Sequence, residues 1–448
     1  MLKLFLCLRY LRKKKIVFLS IAAVALAVSL LIVVASLFNG FINALKKASV
    51  ETIGDVVLVA PIRFSQYPLF IERLEQTGAV QAATATLSAQ GLLHLGRGDV
   101  RAVDIWGIEA GRRARVTDFK QSLIKQNKSS REPSFEVPGF PDSVGGFVGV
   151  GVVTEPDEKT DEYDLGAIEE MVGRQVVLTT GSVSRAQENG GKQAELRRKV
   201  IKFAIADIVF TGVYEFDKSV VCLPIEELQK RLYPDEDGPI ANQVQIKLAG
   251  DVETDSALAQ IHGVWYDFAD KQLDWSPYLI DETTITTAEE MQSQYVTELR
   301  KQMRILLFIF GVVNCSVVLL IICIFYMIVK LKQKDIAIIK SCGASSSSAA
   351  CVFVGFGACV GIIGSGLGTA LGYVVTKNIN TIEEWVRIIF GLKLWKSSVY
   401  MFSRIPNEIS WGSALPIVLL AVAAAALGAL IPAIVAARTR PVEILRYE

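Results

Sequence analysis

Residues 16–38 read IVFLSIAAVALAVSLLIVVASLF, 23 side chains without a charge. As a helix this stretch rises roughly 34 Å and crosses the hydrocarbon core of a bilayer. Three further stretches share the property: 305–329, whose only strongly polar side chain is Asn314; 342–375, of which 349–376 is taken to cross; and 414–437, with Pro416 near its start and Pro432 near its end. One such run could be the buried helix of a soluble domain; four in one chain point to a membrane protein. The apolar core of the first run is longer than the roughly 7–15 residues of a secretory signal. Its small residues lie inside the run, so it is read as an uncleaved anchor.

The bulk composition is therefore an average of unlike parts. Of 448 residues, 51% are apolar and 21% charged, with 47 Lys and Arg against 46 Asp and Glu. A net charge of +1 gives no electrostatic reason to expect nucleic acid as a partner, and the apolar share excludes a disordered chain.

The placement of the basic residues gives the orientation. Arg9, Arg12, Lys13, Lys14 and Lys15 precede the first run; Lys330, Lys332, Lys334 and Lys340 follow the second; Arg438, Arg440 and Arg446 follow the fourth. The positive-inside rule puts all three groups in the cytoplasm. Arg300, Lys301 and Arg304 then fall outside, at the end of a segment long enough to translocate regardless of charge. The expected fold is four transmembrane α-helices with a large mixed α+β extracytoplasmic domain inserted between the first two. Its parts are a cytoplasmic N-terminus (1–15), helix one (16–38), the external domain with helical stalks (39–304), helix two (305–329) and a cytoplasmic loop (330–348). Helix three (349–376), an external loop (377–413), helix four (414–437) and a cytoplasmic C-terminus (438–448) complete the chain.

Of the seven cysteines, only Cys222 falls in the external domain; Cys7, Cys315, Cys323, Cys342, Cys351 and Cys359 lie in membrane or cytoplasm, where disulfides are not expected. With His94 and His262 the only histidines and no CxxC, no metal site is expected.

Within the external domain, strand-like runs occur at 56–60, 176–180, 206–212 and 244–248, and helix-like runs at 69–76, 166–172 and 225–232. The polar stretch 111–160, with Pro133, Pro138, Pro141 and the pair Gly145–Gly146, reads as a loop-rich insertion. The run ENGGKQAELRRK (188–199) reads as an exposed hairpin or a solvated loop. Both junctions with the membrane read as continuing helices. Phe38, Phe41, Ile42 and Leu45 recur at helical spacing after the first span, as do Met291, Tyr295, Leu299 and Met303 before the second. Such stalks could carry motion or be plain connectors.

Between spans two and three, Lys334, Asp335, Ile336, Ile339 and Lys340 form a short amphipathic pattern that stops at Gly343. It is either a docking helix for a cytoplasmic partner or a connector on the membrane surface. In the third span Gly357, Gly361, Gly364, Gly368 and Gly372 share one helix face, open equally to packing within the subunit and to a dimer interface. No GxxxxGK[ST] loop occurs, and the serines 345–348 have no base nearby, so no catalytic site is read in this chain.

Several segments carry a resemblance to a known family. LRYLRKKK (8–15) followed by SLFNGFINAL (36–45) resembles the start of a lipoprotein-releasing (LolC/LolE-type) permease. FTGVYEFDKSVVCLPIEELQKRL (210–232) is similar to that family's external core, KQKDIAIIKSCGAS (332–345) to its coupling helix, and INTIEEWVRIIFGLKLWKSSVYMFSRIP (379–406) to its loop between spans three and four. IPAIVAARTRPVEILRYE (431–448) resembles the family's C-terminus, with Pro441, Glu443 and Arg446 on its motif. The broader family includes FtsX-like and MacB-like permeases, with a MacB-like external core.

The resemblance implies an ABC transporter permease in the bacterial inner membrane, with both termini cytoplasmic and the large domain periplasmic. It implies a separate ATPase dimer that carries ATP and Mg, none being bound by this chain, and a second permease copy or paralogue. A lipoprotein would enter from the outer leaflet and leave to a periplasmic carrier by mechanotransmission. Phe38, Phe41, Val312 and Val317 are the expected walls of a cleft for membrane lipid or acyl chains. The alternatives are a MacB-like exporter of a drug, peptide or lipid and an FtsX-like signalling permease that transports nothing.

Overall fold

Among the described residues, four helices are long and apolar enough to cross a membrane: Val17–Ile53, Val296–Leu331, Ser346–Lys377 and Trp411–Arg438. The structure, a computed structural model, describes residues 15–438 other than 97, 138, 141–142, 158–159, 189–190, 237, 332, 342, 344, 392 and 410. The chain divides into two units, one of Met1–Asn43, Tyr295–Trp385 and Ile405–Glu448, the other of Ala44–Gln294 and Val386–Arg404.

In the membrane unit, Val17, Ile21, Val24, Val28 and Ile32 form one stripe of the first helix. They share a core with Ile321, Phe325 and Ile328 of the second, Phe356 and Val360 of the third, and Ala425 of the fourth. Water cannot drive helices together inside a bilayer, so close backbone approach has to do it. The glycine face of the third helix serves that purpose twice over. A Cβ on Gly357 would stand 2.4 Å from Ala429 Cβ, and one on Gly361 3.0 Å from Ala425 Cβ, both of the fourth helix. A Cβ on Gly364 would stand 2.8 Å from Val24, on Gly368 2.6 Å from the Ala25 carbonyl oxygen, and on Gly372 3.1 Å from Ile32, all of the first. All five glycines face neighbours in the same subunit.

The fourth helix is two pieces, Trp411–Gly428 and Leu430–Arg438. Pro432 has no N–H to give the carbonyl of Gly428, and the ladder is interrupted there. Pro416 lies inside the first piece without ending it, at the loss of the bond to the Gly412 carbonyl.

The inserted unit is built on a nine-stranded mixed sheet: β1 (Val56–Ser65), β2 (Val80–Gly96), β3 (Asp99–Ile108), β4 (Gly145–Gly149), β5 (Gln175–Glu188), β6 (Gly191–Val209), β7 (Val220–Pro224), β8 (Ile240–Leu248) and β9 (Thr284–Thr287). The order is β3-β7-β4-β6-β5-β2-β8-β1-β9, and β2 also pairs with β3. That last pairing closes a ring of six strands, with β8, β1 and β9 extending from the first half of β2. The switch is made within β2, which pairs with β8 over Val80–Thr86 and with β5 over Gly91–His94. On the other face of the extension, Trp265 and Phe268 of the helix Thr254–Lys271 meet Phe70 with ring centroids 5.2 and 5.0 Å apart.

Three expectations change. Residues 111–160 are more than an insertion of loops: β4 pairs with β6 in parallel and with β7 antiparallel, and every one of its residues is buried. Its glycines mark crowding, since a Cβ on Gly145 would stand 1.7 Å from the Phe135 carbonyl oxygen and one on Gly149 2.2 Å from that of Asp217. The stalk before the second span breaks at Gln292, so Met291 belongs to the short helix Ala288–Met291 and only Tyr295, Leu299 and Met303 to the long helix Ser293–Leu331. Finally, β6 ends at Val209, and the run 206–212 continues into a turn rather than more strand. Of the run 188–199, Glu188 pairs with Gly191 and 191–199 form the first part of β6, whereas 189 and 190 lie outside the described residues.

That turn hangs on Asp217. Its buried carboxylate accepts the N–H and hydroxyl of Thr211, each at 2.8 Å, and the N–H of Gly212 at 2.9 Å. Burial pushes its pKa up to about 6, and the three donors oppose the shift without cancelling it.

Two predictions follow from this packing. Gly368→Leu forces the first and third helices apart and lowers the melting temperature of the protein in detergent by several degrees, whereas Gly366→Leu, with open space around its Cβ position, leaves it unchanged. Because the folded pKa of Asp217 lies above its unfolded value, its carboxyl favours folding when protonated and loses that contribution as pH rises toward and through about 6. The stability of wild type relative to Asp217→Asn therefore falls between pH 4.5 and pH 7, read from unfolding midpoints at the two pH values.

Candidate functional site

The segment expected to couple to an ATPase forms the helix Gln333–Ser341. Its N–H and C=O ladder ends at Gly343, which takes φ +96° and donates its N–H to the Lys340 carbonyl at 3.0 Å. Ala337 is buried and Ile338 is exposed, so one side of the helix packs and the other is open. Lys340 Nζ donates to the carbonyl of Ala437 at 2.8 Å, at the C-terminal end of the fourth membrane helix, where that carbonyl would otherwise lack a partner. The helix is thereby tied to the last turn of the bundle. Lys334 stands on its exposed side. The side chains of Asp335, Ile336 and Ile339 lie outside the described residues, as do Pro441, Glu443 and Arg446 of the C-terminal motif. The serine run has a structural role: Ser345 caps the third membrane helix, its hydroxyl accepting the Ser348 N–H at 3.2 Å.

The four expected cleft residues differ in exposure. Phe38 and Phe41 are half-buried on the first helix. On the second, Val312 is exposed in a ridge with Ile305, Phe308 and Ile309, whereas Val317 is turned against the core of the bundle.

A site that sequence reasoning missed lies where the first long helix, Lys15–Ile53, ends inside the inserted unit. A helix terminus leaves its last carbonyls without partners. Here Gly54 N–H satisfies Val50 at 2.9 Å, Asp118 N–H satisfies Glu51 at 3.0 Å, and the guanidinium of Arg113 satisfies Thr52 at 2.9 Å. Arg113 is 1% exposed, and among the described residues no carboxylate pairs with it. Gln245 Oε1 of β8 accepts from it at 2.7 Å, and the faces of Trp106 and Phe119 lie 4.8 and 5.5 Å from its guanidinium carbon. Burial pulls its pKa down to about 10, which still leaves the group charged at neutral pH. The cation sits against the negative end of a helix dipole and two ring faces, a setting that suits it without a counter-ion. Cys222 is buried close by, and burial pushes its thiol up to about 11, so it is unreactive.

The next residue extends the weld. Asp55 donates its N–H to the Ile246 carbonyl at 2.9 Å, accepts the N–H of Leu248 at 2.9 Å and the N–H of Ala288 at 3.0 Å, and pairs with Lys247 at 3.3 Å. β1 starts at Val56 and pairs with β9, Val56 opposite Thr287. Thr287 opens a capping box with Glu290, and the second long helix follows from Ser293. Lys46 also reaches Glu289 at 2.5 Å. The first helix thus runs into, and the second runs out of, adjacent strands at the same edge of one sheet.

A third attachment comes from the loop between the third and fourth helices. Within the inserted unit, Lys393 and Asp161 form a largely enclosed pair at 3.8 Å, Lys393 also donating to the Thr160 carbonyl at 2.8 Å. Asp161, held at φ +53°, accepts the N–H of Ser397 at 2.7 Å. Tyr214 donates its N–H to the Met401 carbonyl at 2.8 Å, which places the turn held by Asp217 against the same loop. Trp395 stacks on Tyr400 with centroids 4.1 Å apart.

Residues 307–441 match the FtsX-like permease C-terminal family. Over 98% of its length the chain is 27% identical to the lipoprotein-releasing system transmembrane protein LolC of Neisseria meningitidis serogroup B, covering 98% of that protein. It is 25% identical, over 95% of its length and 93% of the relative's, to the lipoprotein-releasing system transmembrane protein LolE of Haemophilus influenzae. Among solved structures, the periplasmic region of MacB from Actinobacillus actinomycetemcomitans is similar with 13% identity and a TM-score of 0.33, covering 55% of this chain and 95% of that one. With its charge-free spans, its inserted mixed domain and these matches along almost its whole length, the chain is similar to ABC transporter permeases of the LolC/LolE type.

Proposed function

We propose that this permease extracts lipoproteins from the outer leaflet of the bacterial inner membrane and passes them to a periplasmic carrier, using ATP hydrolysed by a separate subunit. The observation that carries this reading is the match to lipoprotein-releasing proteins along almost the whole of both chains, inserted domain included. Both termini and the helix Gln333–Ser341 are assigned to the cytoplasm from the basic residues beside them, and the inserted domain to the periplasm.

In this reading a dimer of ATPases, which holds ATP and Mg, docks on the helix Gln333–Ser341 through Lys334, Asp335, Ile336 and Ile339. The bond from Lys340 to Ala437 transfers its displacement to the fourth helix, and the glycine face of the third passes it on to the first. The first helix is unbroken from Lys15 to Ile53, and its last carbonyls are fixed by Arg113, Asp118 and Gly54. A rigid rod with a fixed end transmits displacement; a frayed one dissipates it. The exposed ridge of Ile305, Phe308, Ile309 and Val312 supplies apolar surface for acyl chains, for a second permease copy or paralogue, or for both.

Proteoliposomes that contain the permease, its ATPase and an acylated lipoprotein are expected to release the lipoprotein to a soluble acceptor when ATP is added. Asp335→Arg with Ile336→Arg is expected to reduce both release and ATPase co-purification at least tenfold while the protein stays folded. ATP hydrolysis with lipoprotein retained in the membrane, acceptor present, would favour an exporter of another substrate instead.

A further inference from the structure

The helix Ile379–Phe390 is amphipathic in the wrong sense for a protein in water. Ile382, Trp385, Ile388 and Ile389 recur at helical spacing on one stripe, and this stripe faces outward. Trp385 is 64% exposed, Ile388 and Ile389 71% each, and Phe390, which closes the helix, 69%. None of its residues is fully buried. Asn380 and Arg387 are turned to the protein instead. Asn380 gives its amide to the Ile405 carbonyl at 3.1 Å and takes the Ile405 N–H at 3.0 Å, and Arg387 lies 3.7 Å from Glu162. Leu394 and Val399, in the segment after the helix, are exposed as well.

Covalent position says what covers this face. Only Asn378 separates the helix from the third membrane helix, which ends at Lys377. Tyr373 at the end of that span and Trp411 at the start of the next lie 6.2 Å apart in a stacked pair, the aromatic level at which a span leaves the hydrocarbon. At about 1.5 Å per residue, Ile379 is within roughly 10 Å of that level. The outward stripe carries no charged side chain, so it lacks the polar rim that surrounds protein–protein interfaces. A helix with an apolar face, a Trp at its middle and its start at the bilayer edge has the form of an interfacial membrane-binding helix.

We propose that the helix Ile379–Phe390 lies in the lipid surface on the side of the inserted domain, with Ile382, Trp385, Ile388, Ile389 and Phe390 in the boundary between headgroups and acyl chains. The chain turns away at Gly391, whose φ of +66° ends the helix, and is held within the inserted unit by Lys393 on Thr160 and Ser397 on Asp161. The membrane surface thereby becomes an attachment of that domain in addition to the two long helices. This proposal is independent of which substrate the permease moves.

A photoreactive diazirine amino acid at position 389, and in a second sample at position 380, tests it with the full-length chain in phospholipid membranes. Irradiation is expected to give phospholipid adducts at 389 and at least fivefold fewer at 380. Adducts at 389 to a second copy of the chain or to another protein would overturn the proposal, as would water addition with no lipid adduct. Bromine-labelled lipids give a second reading that needs no crosslinker. Shallow bromines are expected to quench wild-type tryptophan fluorescence more than that of Trp385→Phe, and equal quenching would contradict the lipid placement.

Discussion

Everything outside the membrane in this protein rests on how one helix ends. The first long helix must finish against a folded domain, where its last residues are partly shielded from water, and a carbonyl buried there without a partner costs roughly 1–3 kcal/mol. A buried arginine and two backbone N–H groups meet that demand at Thr52, Glu51 and Val50. Arg113 could have been the costliest group in the domain, a charge without a counter-ion. The dipole of the helix it caps, the amide of Gln245 and the rings of Trp106 and Phe119 provide what a carboxylate would otherwise supply. The same residues that satisfy the helix therefore also fasten it to β8.

Inside the membrane the constraint is different and the solution is steric. The first and fourth helices approach opposite ends of one glycine stripe on the third, Gly364, Gly368 and Gly372 toward one and Gly357 and Gly361 toward the other. Any side chain there would separate backbones, so close contact between three helices depends on five missing Cβ atoms. The second helix meets that stripe only at Gly357, where a Cβ would stand 3.3 Å from the Phe325 ring, and leaves Ile305, Phe308, Ile309 and Val312 uncovered. Rigid contact on one side of the bundle and open apolar surface on the other is the arrangement expected of a permease that pairs with a second subunit.

The four spans are legible in the sequence because membrane helices announce themselves by composition over some twenty residues, and the helix Gln333–Ser341 because a short local pattern and Gly343 delimit it. The strands β2 and β4 are not. β2, VQAATATLSAQGLLHLG, is rich in Ala, Ser and Gly, which say little locally about strand, and the glycines of β4 read as turn formers although they mark close backbone contact. Arg113 is invisible for a related reason. In GRRARV nothing distinguishes it from Arg112 and exposed Arg115; its partners come from positions 52, 106, 119 and 245. Val312 and Val317 could not be separated either, because a helix that is apolar on every side has no periodicity to read.

The central claim is that the first long helix ends in a rigid weld to the sheet. Amide hydrogen exchange on the full-length protein in lipid nanodiscs measures it directly at Gly54, Asp55, Asp118, Leu248 and Ala288, the N–H groups that make the junction. The account predicts that these amides exchange as slowly as the centre of β8 and far more slowly than those of the exposed turn at Gly250 and Asp251. Exchange at the junction as fast as at that turn would mean that the helix end frays, and would contradict the account.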